Sequence, residues 1–436
     1  MQATLENISA LEKRLNISVA LDQIESEVEN RLKRLSRTVK MHGFRPGKVP
    51  LKVVAQQYGG QVRQEVLGDM VQKSFTDAVQ EQKLRVAGYP NIEAIGEGQE
   101  GKAFEFTATF EVYPDVVVGD VTVKTIERPK VDVTEEDIDK TIEILRKQRA
   151  VFEVVDRTAE ATDQVDIDYH ATIEGNEFEG GQAQGYVVTL GEGRLLPDFE
   201  NALIGMKAGD SKTFDMAFPA DYHGKDVAGK TAAFQVTMNK VLAPKLPEVD
   251  AEFAKTIGVA DGDLDKMRAE IRGNIEREVK KRLQDKLKEH VMQLLLDVSP
   301  VEIPRALLNM DIERLMDRAR QDLAMRGVKA EDVPLPSDLF EEQAKRRVTL
   351  GLILAEVVKA QGLQAKPDQV RSKVEEYAQS YEKPAEVVKW YYENYTRLGE
   401  VESLVLEDNV VAWVLQTAQV VDKDMSFDEL MGIAEK

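Results

Sequence analysis

The sequence predicts a multidomain α+β protein with three parts: an α+β domain at the N-terminus, a small antiparallel β-sheet around one helix, and an all-α, arm-like C-terminal domain. Three observations predict it. At 436 residues the chain is too long for one compact core, so two to four domains are expected. Apolar residues alternate with a period of two in two separate regions, over 15–19 and 104–112 and again over 165–173 and 234–238. Beyond residue 246 the period lengthens to three and four, and glycine thins from ten in 151–245 to eight in the longer stretch 246–436.

Composition narrows the class. The formal net charge is −20, from 78 acidic and 58 basic residues, which argues against general nucleic-acid binding except where the charge locally reverses. Cysteine is absent, which removes disulfides, thiolate metal sites and cysteine nucleophiles together. The first residues, Met1 to Glu6, have neither a basic start nor an apolar core, so a signal peptide is not expected. No apolar run approaches the ~18 residues of a membrane span. The chain reads as cytoplasmic, with no membrane partner. Its four histidines, His42, His170, His223 and His290, are scattered and form no His-x-x-x-His pair. A zinc site or serine triad is therefore not expected, and His223 reads as a surface loop residue. No Walker loop is present, so ATP-driven work is not expected, and no metal or cofactor is called for.

In chain order, Leu15, Ile17 and Val19 predict a strand. Leu21, Ile24, Val28, Leu32, Leu35 and Val39 then predict a helix with one buried face. That helix runs into the stretch 31–52, which holds eight lysines and arginines and no acid. A local field of that sign on an acidic body marks a docking site for something anionic. Its centre, Gly43-Phe44-Arg45-Pro46-Gly47-Lys48, turns on two glycines and is stiffened by Pro46 and Pro50. A merely solvated basic face is the ordinary explanation of a charge run, but it leaves the glycines, the prolines and an exposed Phe44 without a reason. A second helix carries Val62, Val66, Leu67 and Met70, and the alternation over 104–112 closes a domain spanning 1–112. Gly96-Glu97-Gly98-Gln99-Glu100-Gly101 is spelled like a dinucleotide fingerprint, yet it leads into a strand and its two acids would repel a pyrophosphate. It reads as a hairpin turn.

Residues 113–150 change character. Tyr113-Pro114 breaks the sheet, and Val121, Val123 and Ile126 suggest an extended crossing. Thr134-Glu135-Glu136-Asp137 then caps a helix whose Ile138, Ile142 and Leu145 share one face. Such a helix needs a partner, so 113–150 is expected to be a connector docked on the C-terminal domain. Within 151–245, Leu190-Gly191-Glu192-Gly193 reads as a turn, Pro197 opens a short helix ending at Gly205, and Phe234, Val236 and Met238 form a last strand. From 264 to 291 apolar residues recur at helical spacing for some eight turns. Pro300, Pro304, Pro334, Pro336, Pro367 and Pro384 divide the remainder of 246–436 into five or so further helices, of which the one through Leu404 and Leu415 is expected to be the last.

The hexapeptide at 43–48 matches the Gly-Phe-Arg-x-Gly-Lys signature with which the trigger factor family of bacterial nascent-chain chaperones attaches to the ribosome. The resemblance covers the whole chain. Leu406-Glu407-Asp408-Asn409-Val410-Val411 resembles the terminal helix of those proteins. The stretch 151–245 resembles the FKBP-type prolyl isomerase domain at Asp168-Tyr169, Phe178-Glu179-Gly180, 195–200 and Phe234-Gln235-Val236. The resemblance implies a ribosome-binding domain at 1–112, an FKBP-like domain at 151–245 and a helical chaperone domain at 246–436. The implied partners are ribosomal protein and rRNA at the exit tunnel, together with nascent and unfolded polypeptides. A homodimer is left open for the protein away from ribosomes. The implied ribosome contacts are Gly43, Phe44, Arg45, Pro46, Gly47 and Lys48. The implied isomerase pocket is Tyr169, Phe178, Glu179, Tyr186, Leu195, Leu196, Phe199, Tyr222 and Phe234. Glu179 stands where many relatives have aspartate, Phe199 where several have tryptophan, and Tyr222 on the rim in a loop shorter than in drug-binding members.

From spacing alone these aromatics read as the core of a small β domain. The resemblance favours a pocket for Phe178, Phe199 and Tyr186, and Tyr169 fits either role. A pocket of this kind would need no nucleophile. Rotation about an X–Pro bond meets a barrier of ~18–20 kcal/mol because amide resonance is broken, and a water-poor cleft favours the less polarised, twisted state. Two other readings compete with a ribosome-docked folding helper: a free prolyl isomerase whose flanking domains recruit substrate, and an RNA-binding factor. The basic hairpin lacks the alternating aromatics that RNA stacking requires.

Overall fold

A computed structural model describes the chain except for residues 1, 43, 45–46, 98–102, 221, 223, 225, 329–332, 380 and 434–436. It forms two compact units, one from 1–128 with 285–423 and one from 129–284 with 424–436.

In the first unit, β1 (Gln2–Asn7), β2 (Glu12–Ala20), β3 (Val86–Glu97) and β4 (Ala103–Val112) make an antiparallel sheet in the order β1-β2-β4-β3. Leu15, Ile17 and Val19 lie opposite Ala108, Phe106 and Phe104, so the alternation of both strands loads one face of the sheet. Helices α1 (Leu21–Thr38) and α2 (Leu51–Glu81) cover that face, where Ile24, Val28, Leu32, Val54, Val62 and Val66 share a core with Phe106 and Phe110. The expected stripe on α1 is buried at its centre and half-buried at its ends, Leu21, Leu35 and Val39. β3 and β4 pair antiparallel as a hairpin requires. Gly98 and Gly101 of the expected turn lie outside the described residues.

The crossing expected through Val121, Val123 and Ile126 is corrected in part. Residues 121–124 form a turn, Val123 is 71% exposed, and strand β5 (Thr125–Lys130) begins only afterwards. The reason lies one residue earlier. Asp120 Oδ1 accepts hydrogen bonds from the Thr122 amide at 2.8 Å and the Thr122 hydroxyl at 2.6 Å, which bends the chain there. The helix at 264 is also longer than expected, α6 (Leu264–Val298) running 35 residues. Leu294 and Leu295 continue its buried stripe as far as the break at Pro300. After it come α7 (Arg305–Met325), α8 (Asp338–Gln361), α9 (Pro367–Ala378), α10 (Pro384–Tyr392) and α11 (Tyr395–Thr417). Pro367 and Pro384 each sit in the first turn of their helix, where a missing N–H costs nothing. α11 is not the last element. Strand β11 (Gln419–Asp424) follows and pairs with β5, and α12 (Phe427–Met431) follows that.

In the second unit, α3 (Glu135–Gln148) starts at the expected capping box. The Thr134 amide donates to Asp137 Oδ2 at 2.9 Å, and the Asp137 amide donates to Thr134 Oγ1 at 3.3 Å. Ile138 and Ile142 are buried against Phe253 of α5 (Ala251–Thr256), Met267, Ile271 and Ile275 of α6, and Phe427 and Leu430 of α12. The apolar stripe of the connector helix is therefore covered by helices after 246.

The same unit holds a five-stranded antiparallel sheet. Strands β6 (Val151–Val155), β10 (Thr231–Lys245), β7 (Gln164–Ile173) and β8 (Asn176–Thr189) follow in that order, with β9 (Ser211–Ala217) also on β10. One short helix, α4 (Pro197–Leu203), lays Phe199 and Leu203 on a core of Ile167, Val236 and Met238. Val151 pairs with Lys245, so the two ends of 151–245 are neighbours across a strand pair.

Candidate functional site

The aromatic residues singled out in 151–245 converge where α4 meets the sheet. Phe199 and Phe234 are each 5% exposed and lie edge to face with centroids 5.2 Å apart. Tyr169 stands over both, 6.0 Å from Phe199 and 6.2 Å from Phe234, and meets Tyr186 edge-on at 5.9 Å. Tyr186 is 37% exposed, so the set grades from a buried floor to an open rim. Phe178, Leu195, Leu196 and Tyr222 are half-buried against the same core. Leu196 precedes α4, and its carbonyl accepts from the amides of Phe199 and Glu200, which turns Phe199 inward. Glu179 is exposed beside Phe178. His223, next to Tyr222, lies outside the described residues.

Burial raises the pKa of the Tyr169 phenol first, and the nearby Tyr186 and Tyr222 hydroxyls add to the effect. Its hydroxyl donates to the Gly180 carbonyl at 3.3 Å. A neutral, hydrogen-bonded phenol adds no charge to this aromatic cluster. His170 is exposed, and its Nε2 lies 3.0 Å from Glu177 Oε1.

Two phenylalanines of this set were not anticipated. Phe214, opposite Phe234 across β9 and β10, stacks on it at 5.8 Å and meets Phe199 at 5.6 Å. Phe218 links Phe178 at 6.2 Å with Tyr222 at 4.9 Å. The alternation Phe214, Met216, Phe218 would have found both.

The basic tip is built differently. Val49 is 5% exposed and anchors the segment between α1 and α2 in the sheet's core. Phe44, by contrast, is 39% exposed, and its amide donates to the Met41 carbonyl at 3.2 Å. Gly47 has φ +79°, a backbone conformation suited to glycine, and Lys48 beside it is exposed. Gly43, Arg45 and Pro46 lie outside the described residues. Of the basic residues on α1, Arg31 pairs with Asp69 at 2.9 Å and Lys33 with Glu29 at 2.6 Å, which offsets part of the positive charge on that helix. Among the described residues no helix is long and apolar enough to cross a membrane.

An antiparallel sheet around one helix, with aromatic side chains gathered where they meet, is the part of the chain that a family of known activity matches. The family profile for FKBP-type peptidyl-prolyl cis-trans isomerases matches residues 155–239. The profile for bacterial trigger factor protein matches residues 1–145, and that for its C-terminus residues 263–416. A trigger factor from Nitrosospira multiformis is 57% identical over 99% of this chain and 100% of its own length. One from Aromatoleum aromaticum is 53% identical over the full length of both. A solved structure of the trigger factor chaperone, from work on promiscuous substrate recognition in folding and assembly, shares the fold. It has a TM-score of 0.50 at 19% identity and covers 95% of this chain and 99% of that one. The chain belongs to the trigger factor family. It is a ribosome-associated chaperone with an N-terminal ribosome-binding domain and an FKBP-type isomerase domain.

Proposed function

We propose that the hollow on the second sheet is the isomerase pocket, with Phe199 as the floor under the proline ring. Tyr169, Phe178 and Phe234 form its walls. Leu195, Tyr186, Tyr222 and Glu179 lie around its mouth, and the Leu196 amide takes the substrate carbonyl. Such a hollow works on the peptide bond by solvation. The planar amide is the more polarised state, so an apolar floor stabilises the twisted state relative to it. The observation that supports this reading is the gradient of burial within one aromatic cluster, from 5% exposure at Phe199 to 37% at Tyr186. Phe199→Ala tests it. Turnover of a proline tetrapeptide is expected to collapse while suppression of client aggregation survives. Normal turnover by a folded variant would reduce these aromatics to core.

The tip, Phe44 and Lys48 with Gly43, Arg45, Pro46 and Gly47, docks on ribosomal protein and rRNA beside the exit tunnel. The work is divided among 1–112 for docking, 113–150 as connector, 151–245 for isomerisation and 246–436 for holding unfolded chains. This happens in the cytoplasm, where ribosomes and their nascent chains are. Away from ribosomes the protein self-associates as a homodimer. Tyr89, 89% exposed, and Met325, 80% exposed, are apolar surface that a partner copy would cover. Sedimentation velocity across a concentration series tests the dimer, and a single monomeric species throughout would refute it.

A further inference from the structure

We propose that Asp168 and Asn239, on the side of the sheet away from the pocket, are positioning residues for isomerisation that set Tyr186 beside Tyr169. The proposal rests on the pocket reading above. β7 is central in its sheet, with β8 on one side and β10 on the other. Ile167 pairs with Tyr186 and Tyr169 with Ala183, so β8 takes three steps where β7 takes two. Positions 183 and 186 differ by an odd number, and an unbroken strand would send their side chains to opposite faces. One extra residue removes the conflict, and Tyr186 joins Ile167 and Tyr169 on the pocket side. Gly185 makes the bulge, with φ +62°. On the other flank, Met238 pairs with Ile167 and Lys240 with Asp166, which leaves Asn239 as the extra residue of a second bulge.

One carboxylate oxygen ties the two bulges together. Asp168 Oδ1 accepts from the Gly185 amide at 2.7 Å and from Asn239 Nδ2 at 2.8 Å, and Asn239 also reaches Asp166 Oδ1 at 3.2 Å. The Gly185 bond first, and the Asn239 bond second, hold the Asp168 carboxyl below the usual aspartate pKa, as expected where both bonds favour the charged form. Tyr186 is 37% exposed at the rim and meets the Tyr169 ring edge-on at 5.9 Å, so the backbone bulge sets whether that contact is made. Loss of the pin lets β8 slide at that point and moves Tyr186 off Tyr169, with no pocket residue changed.

The experiment is a double-mutant cycle in the full-length protein, read as kcat/KM on a proline tetrapeptide. Asp168→Ala is expected to lose about tenfold or more, the scale on which a small misplacement acts. Asp168→Asn keeps an oxygen for the Gly185 amide and is expected to stay within about twofold of the parent protein, and Asn239→Ala to fall between. In a Tyr186→Ala background, Asp168→Ala is expected to add less than about twofold, because its effect passes through that ring. An unchanged kcat/KM in folded Asp168→Ala, or an equal loss with and without Tyr186, would overturn the proposal. If Asp168→Ala does not fold, Asn239→Ala takes its place in the cycle with the same criteria. Phe199→Ala run alongside separates the two readings. Full activity there refutes the pocket itself, whereas an inactive Phe199→Ala with a fully active Asp168→Ala refutes only the positioning role.

Discussion

Phe199 is the residue on which the isomerase reading turns. It lies within 6.0 Å of Tyr169, 5.6 Å of Phe214 and 5.2 Å of Phe234, centroid to centroid, and almost none of it reaches solvent. Truncation to alanine is therefore expected to destabilise this part of the chain by about 3–5 kcal/mol, as other buried phenylalanines do. Urea unfolding of the variant checks that value, and a loss under ~1 kcal/mol would mean that the site collapses around the gap. Tyr169 gives a second expectation, on the alkaline side. Its pKa is raised in the folded chain, so its contribution to stability is complete below the ordinary tyrosine value, about 10, and is lost as pH rises through the higher folded value. Thermal unfolding should show a decline above about pH 10 that Tyr169→Phe diminishes. A decline identical in both proteins would assign it to other groups. Phe199 and Tyr169 were legible because each sits in a motif or an alternating run. Phe214 and Phe218 sit in an alternating run as well, but in no motif.

At the scale of elements, what was legible followed the strength of the local pattern. α1, α3 and β4 each carry an uninterrupted apolar period, and each forms where expected. β8 is the longest strand of its sheet after β10 and was not foreseen. Gly180, Gly181 and Gly185 interrupt its alternation, and its register against β7 shifts there. β11 was invisible for a different reason: all but one of its six residues are exposed, so it has no apolar face to read. The cap of α3 yields a prediction at this scale. Thr134→Ala removes the acceptor for the Asp137 amide and is expected to cost about 1 kcal/mol. Denaturant titration measures it, and a cost near zero would mean that solvent replaces the cap fully.

At the scale of the molecule, the pairing of Val151 with Lys245 makes 151–245 removable in principle, because the cut ends are already adjacent. The stripe of α3 is buried by helices outside that segment, so nothing it needs would be taken away. Replacement of 151–245 by a short Gly/Ser linker is expected to give a folded protein that docks on ribosomes and delays aggregation of an unfolded client, with no isomerase activity. A soluble, helical variant that cannot delay aggregation would move the holding function into the isomerase. Docking is proposed above for the basic tip, and its removal is the most direct test of how the chain is organised. The measurement is ribosome co-sedimentation of the full-length protein with Phe44, Arg45 and Lys48 replaced by alanine. The parent protein should release from ribosomes with a log–log salt slope of roughly −2 to −3, as two or three neutralised charges require. The variant should fail to co-sediment at any salt while turning over proline peptide at the normal rate. Undiminished co-sedimentation by the variant would contradict the assignment of the tip.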